Sequence, residues 1–301
     1  CATFSASNIL QFIYILALPS NPILKDLRYQ YAPDSNGVNH LVDTWTSLSD
    51  FLRAPRYNPA SSNVYHLFTR NNPTISNPLL INNVGLLSRS NYDSNRRTIV
   101  LIHGWMNSAV SNFNNVLLPV LLAAEDLNVI ILDWSSGANS INYRELNMNC
   151  VLSGIATAEF IEWLNQQSGS TLRQYHIIGH GVGGHQAGVV GRSLGGLTMH
   201  LHFTPIQPIL PLTQVAFYPS GGIAMPGCDS NSCDHDRSFF YFAESISSGG
   251  FTGIECLNYY AALLSLCSGP RNLQMGGLAP KTGSRGAYFL ETNAAPPFSR
   301  G

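Results

Sequence analysis

The chain has 301 residues, only 11% of them charged against the roughly 25% usual for soluble domains, and a formal net charge of −1. Its lysines are Lys25 and Lys281 alone, which leaves no basic footprint for phosphate backbones and excludes nucleic acid as a partner. Hydrophobic residues, at 45%, suffice for a large core, and one domain of this size is ordinary for an α/β sheet.

In chain order, the apolar run Ile9–Leu18 comes first. It is too short for a bilayer span, which needs about 20 residues, and Pro19 closes it, so it reads as a buried helix or lid-like segment with no transmembrane role. Residues 1–63 together are expected as an irregular, partly helical extension packed on the core, with one helix over Val38–Leu52 and Pro-rich connectors around Arg53–Pro59. The main domain is expected over 64–301. Strands are predicted over Val64–Arg70, Leu79–Asn82 and Thr98–Gly104, then a helix over Asn112–Ala124 and a buried strand over Asn128–Trp134. A long helix follows from Met148 to Gln167, with Val151, Ile155, Ala158, Ile161 and Leu164 at helical spacing. The strand Gln174–Gly179 runs into a glycine-rich turn and a helix over His185–Leu194, and another strand ends at Phe203. This alternation implies an α/β fold: a doubly wound, mostly parallel sheet with helices on both faces. Such sheets gather functional groups at the carboxyl ends of their strands, here the turn His103–Trp105, the turn at Gly181 and the loop at Thr204.

Six cysteines without CxxC pairs argue for disulfides in an oxidising compartment, and a chain starting at Cys1 reads as a processed, secreted protein. Cys228–Cys233 and Cys256–Cys267 are close enough to be local loop staples, which leaves Cys1–Cys150 by elimination.

The segment GHGVG (Gly179–Gly183) has the strand–turn–helix placement and spacing of the G-x-S-x-G nucleophile elbow, but glycine stands where the serine would be. HGW (His103–Trp105), DW (Asp133–Trp134), IGHGVGGHQAG (Ile178–Gly188), FYPSGG (Phe217–Gly222), PGC (Pro226–Cys228), CDHDRS (Cys233–Ser238) and the Cys256/Cys267 loop occur in one order. In that order they resemble the pancreatic lipase and phospholipase A1 family. VYHLFTRNNP (Val64–Pro73) is similar to its insect members, among them yolk proteins built on the same fold. The resemblance implies an α/β-hydrolase with a degenerate triad: the nucleophile position falls on Gly181, the acid on Thr204 of FTPIQP, and the histidine on His235, which is kept.

A histidine without a hydroxyl to deprotonate or a carboxylate to orient it cannot run acyl transfer, so the resemblance implies a non-catalytic homologue. The backbone donors of the former oxyanion hole fall at Trp105 and Val182, and with His103, His180 and His235 they make the expected ligand contacts. Only DSNS separates Cys228 from Cys233, so the family's long lid is missing, and the stretch between Pro211 and Phe217 lacks a strand and its loops. The function implied is a secreted, extracellular carrier or store (in haemolymph, egg or body fluid) that needs no cofactor. Its ligand would be an apolar small molecule: a lipid, steroid, carotenoid or bilin. Further copies of the chain or other secreted subunits are the implied protein partners. The alternatives are a yolk-type store without ligand and a weak esterase using His235.

Blander roles compete for individual residues. His235 also reads as a structural core histidine. His180, His185, His200 and His202 invite a metal, but no carboxylate or cysteine completes a recognisable set in the sequence, so none is expected.

Overall fold

The computed structural model describes residues 29–33, 39–43, 57–195, 199–202, 215–279, 281 and 284–301. The first two strands, β1 (Tyr29–Pro33) and β2 (Asn39–Asp43), pair antiparallel in a two-stranded sheet. This corrects the helix expected from Val38. Apolar residues at Val38, Leu41, Val42 and Trp45 fit a helical stripe, yet the adjacent YQYAP segment offers a ladder to residues 39–43, and strand pairing overrides the local pattern. The rest of that expected helix and the run Ile9–Leu18 lie outside the described residues.

After a short turn of helix, α1 (Pro59–Ser62), the central sheet is built from β3 (Val64–Phe68), β4 (Asn77–Leu79), β5 (Thr98–Ile102), β6 (Asn128–Asp133), β7 (Tyr175–His180) and β8 (Met199–His202). Its order is β4-β3-β6-β5-β7-β8. The four strands from β6 to β8 run parallel, while β3 is antiparallel to both its neighbours, with β4 at the edge. Between them lie α2 (Val84–Ser88), α3 (Asn112–Ala124), α4 (Ser135–Ala138), α5 (Tyr143–Ser168) and α6 (Val182–Ser193).

The strand sequences explain the two-faced core. In β5, Val100 and Ile102 point to one side with Ile130 and Leu132 of β6, against Leu146, Phe160, Ile161 and Leu164 of α5 and Val190 of α6. Ile99 and Leu101 point to the other side with Val129, Ile131 and Ile178, against Phe113, Leu117 and Leu121 of α3. The period-2 alternation of side chains therefore feeds two layers from one continuous apolar run, as a sheet covered on both faces requires. Helix α5 starts five residues before the expected Met148, because the Asn142 side chain accepts from the Arg144 and Glu145 amides and caps it there.

Beyond the central sheet come β9 (Val215–Pro219), α7 (Asn231–Ser247), β10 (Thr252–Cys256), α8 (Tyr259–Leu263), β11 (Arg271–Gln274) and β12 (Gly286–Leu290). The strands make a second sheet, β11-β10-β12-β9, mixed in direction and separate from the first, where one doubly wound sheet was expected. Helix α7 joins the two: Phe239, Phe242 and Ala243 face the central core, while Tyr241 packs with Phe251, Leu290 and Phe298. Ser230 caps its start by accepting from the Cys233 amide.

Both local disulfides form, Cys228–Cys233 and Cys256–Cys267. Of the third expected pairing, Cys1–Cys150, Cys1 lies outside the described residues; among those described, Cys150 is a free, buried thiol directed at the Val182 carbonyl (3.6 Å). Enclosed on α5 against α6, Cys150 has its thiol pushed up to about 12 by burial, which keeps it protonated and inert. Among the described residues no helix is long and apolar enough to cross a membrane.

Candidate functional site

Strand β7 ends at His180 and α6 begins at Val182, so a single residue makes the turn. Gly181 holds φ 57° and ψ −125°, the sharp, strained conformation of a nucleophile elbow, with no side chain at its apex. The flanking glycines are fixed by packing. A Cβ on Gly179 would stand 2.1 Å from the Gly183 carbonyl oxygen, and one on Gly183 would stand 2.3 Å from that of Ile102. Strand, turn and helix are thus pressed together at contacts that only glycine permits.

Over this turn lies a cavity of about 420 Å³, lined by the loop after β5 (Met106, Asn107, Ser108 and Val110), the start of α3, Asn139, and His180, Asp236 and Phe239. It opens at the carboxyl ends of β5 and β7, the rim expected for a parallel sheet. Polar side chains dominate the loop wall, and the rings of Phe113 and Phe239 supply the apolar part. The His180 ring is clasped by Phe113 (stacked, centroids 5.4 Å apart), by Phe239 (edge-on, 5.1 Å) and by His235 (4.0 Å).

His235, the fifth residue of α7, is buried, and its Nε2 has no hydrogen-bond partner among the described residues. Burial pushes its imidazole down to about 4, so the ring is neutral near pH 7. The next residue, Asp236, places Oδ1 4.0 Å from His180 Nε2, and burial pushes its carboxyl up to about 6. One ligand atom from each of His180, His235 and Asp236 lies within 4.8 Å of the others. The expectation that no carboxylate completes a histidine set is therefore corrected: Asp236 does. Asp236 lies inside the CDHDRS motif, where its residue type alone suggests no role. Its signal was adjacency to His235 on a helix whose start faces the end of β7.

Of the expected ligand contacts, His180 alone is on the cavity wall. His103 is fully buried and structural. Its Nε2 accepts from the Trp134 amide (3.3 Å), which leaves Nδ1 to donate to the Gly104 carbonyl (3.0 Å), and this ties the end of β5 to the end of β6. The Trp105 side chain turns into the core, where its indole N–H donates to the Ser140 carbonyl (2.9 Å). Val182 is half-buried at the start of α6, its carbonyl facing Cys150. Thr204 lies outside the described residues. The cavity's loop residues were missed because nothing in Asn107–Ser111 looks catalytic. Only their position after a buried parallel strand could have pointed to them.

A sequence profile of the family described as Lipase matches residues 43–202, just over half of the chain. The chain is 28% identical over 301 residues to pancreatic triacylglycerol lipase of Homo sapiens, with 78% of this chain and 64% of that protein covered. It is 26% identical over 322 residues to the enzyme of the same name from Myocastor coypus (85% and 68%). It is 24% identical over 299 residues to inactive pancreatic lipase-related protein 1 of Homo sapiens (78% and 64%). The chain thus spans about two thirds of the length of these relatives. The chain belongs to the lipase family, and its fold is that of an α/β-hydrolase.

Proposed function

We propose that this lipase-family chain is a non-hydrolysing homologue that holds a lipid-class small molecule without cleaving it. One observation carries the reading: the elbow backbone is intact at Gly181 while the nucleophile is missing from its apex. The family fold brings an acyl-sized cavity, and without a serine no acyl-enzyme can form there. His235 is neutral, its Nε2 has no hydrogen-bond partner among the described residues, and the acid position falls on Thr204, so the remaining triad residue lacks a hydroxyl to activate and a carboxylate to orient it. That one human relative is named as inactive shows that loss of activity occurs within the family.

The polar loop wall refines the expected ligand from a purely apolar molecule such as a carotenoid to an amphiphile, with Phe113 and Phe239 against its chain and Asn107, Ser108 and Ser111 near its head. The two disulfides support secretion into an oxidising compartment. Storage in the manner of yolk proteins is the second reading, supported by the insect-like segment Val64–Pro73, although a chain with so little lysine is a poor balanced reserve.

Two measurements on protein from its natural source test this. Hydrolysis of short- and long-chain esters is expected to stay at the uncatalysed rate, and mass spectrometry of an organic extract is expected to show a stoichiometric lipid. Turnover that His235→Ala abolishes would sink the reading in favour of an esterase, and an empty extract would leave storage.

A further inference from the structure

A buried polar nitrogen without a partner loses the hydrogen bond it had in water, so His235 Nε2, which has none among the described residues, asks for an explanation. It sits in one group with His180 and Asp236, whose ligand atoms lie within 4.8 Å of one another. Two of the three residues, His180 and Asp236, line the cavity. The set crosses elements that the fold fixes independently: His180 closes β7, and His235 and Asp236 lie in the first turn and a half of α7.

We propose that His180, His235 and Asp236 form a binding site for a divalent transition-metal ion of the zinc class, with the remaining coordination position open to the cavity. The donor set decides the class. Two imidazoles with one carboxylate suit Zn²⁺ and its first-row neighbours, whereas Mg²⁺ and Ca²⁺ call for oxygen ligands throughout. Three protein ligands with one open position is the arrangement of an accessible site; a purely structural zinc would be closed by four. Bonds of about 2.0–2.2 Å put ligand atoms of a tetrahedral ion roughly 3.3 Å apart, so the set must draw in from its present spacing. Asp236 can supply that movement, because its side chain is 24% exposed at the cavity wall while the two histidines are held in the aromatic cluster. One contact of His180 Nε2 that would open is long, to the His235 carbonyl at 3.4 Å. The site does not depend on a lipid being carried.

Calorimetric titration of Zn²⁺ into the full chain, stripped of metal and lipid, tests the proposal. One equivalent is expected to bind near neutral pH, and Co²⁺ in its place should give the visible absorption of a four- or five-coordinate ion. Mg²⁺ should give no heat. Asp236→Asn and His235→Gln should each weaken Zn²⁺ at least about tenfold and remove the cobalt bands. No binding, or binding of unchanged affinity in Asp236→Asn, would overturn the site. Should His235→Gln fail to fold, the variant at the partly exposed Asp236 decides alone.

Discussion

The base of the elbow and the cavity above it answer to different constraints, though they are separated by a single residue. Below, Gly179 and Gly183 are dictated by backbone atoms at 2.1 and 2.3 Å from where a Cβ would stand. Above, at Gly181, His235 and the loop over Asn107–Ser111, nothing in the packing demands a nucleophile. On the proposed reading, a fold can keep the close contacts that build such a turn with no nucleophile at its apex. Family likeness reports the base, and activity depends on the residues above it. The largest test strikes the base. Gly183→Ala drives a methyl into the Ile102 carbonyl and should cost about 3 kcal/mol or more in denaturant unfolding, since overpacked cores lose 1–3 kcal/mol even where side chains can yield. Gly188→Ala, on the same helix with open space around its Cβ, should be neutral or stabilising by about 0.5–1 kcal/mol. Equal effects at the two positions would mean that the close approach does not hold.

The cavity side has a pH signature. His235 is pushed from 6.5 to about 4, so below pH 6.5 the unfolded chain takes up a proton that the folded one refuses. Stability should fall as the pH drops from 6.5 to 4, by up to about 3 kcal/mol from this group. Asp236 acts in the opposite sense. Its carboxyl is raised from 3.8 to about 6, so its contribution is lost as the pH rises through that interval. Unfolding midpoints across this range should lose the acid-side slope in His235→Gln and steepen in Asp236→Asn. An unchanged slope in His235→Gln would show that the ring is solvated and the pocket looser than its geometry implies.

The same division governs what could be read from the sequence. TIVLI, NVIILD and YHIIGH are β-rich apolar runs ended by turn residues, and the structure places each as a buried strand within two residues of expectation. Base glycines were legible because a sharp strand-to-helix turn requires them. The four-stranded second sheet was not, because RNLQ and TGIEC carry too few buried residues to show a period. Segment 39–43 failed for a related reason: five residues fit two periods, and the partner strand that settles the matter lies outside the window. Asp236 and His180 are 56 positions apart by their numbers, and only the crossing of β7 and α7 brings them together.

A modest effect is expected at the apex itself. Gly181→Ser puts a side chain on a residue at φ 57°, ψ −125°, a conformation that costs an L-residue about 1–3 kcal/mol. In active relatives of the fold that strain is tolerated because the hydroxyl it presents is used. On the proposed reading the serine would meet a neutral, buried His235 with Thr204 where the resemblance puts the acid, so no base would be oriented to take its proton. A modest loss of stability with ester hydrolysis still at background is therefore expected, measured by thermal unfolding and by turnover of a chromogenic ester. If instead the single substitution restored turnover, a carboxylate would have to be orienting His235 from elsewhere. Asp236 is its neighbour in the chain but faces His180, so the double variant Gly181→Ser/Asp236→Asn would show whether it had taken over the acid's place.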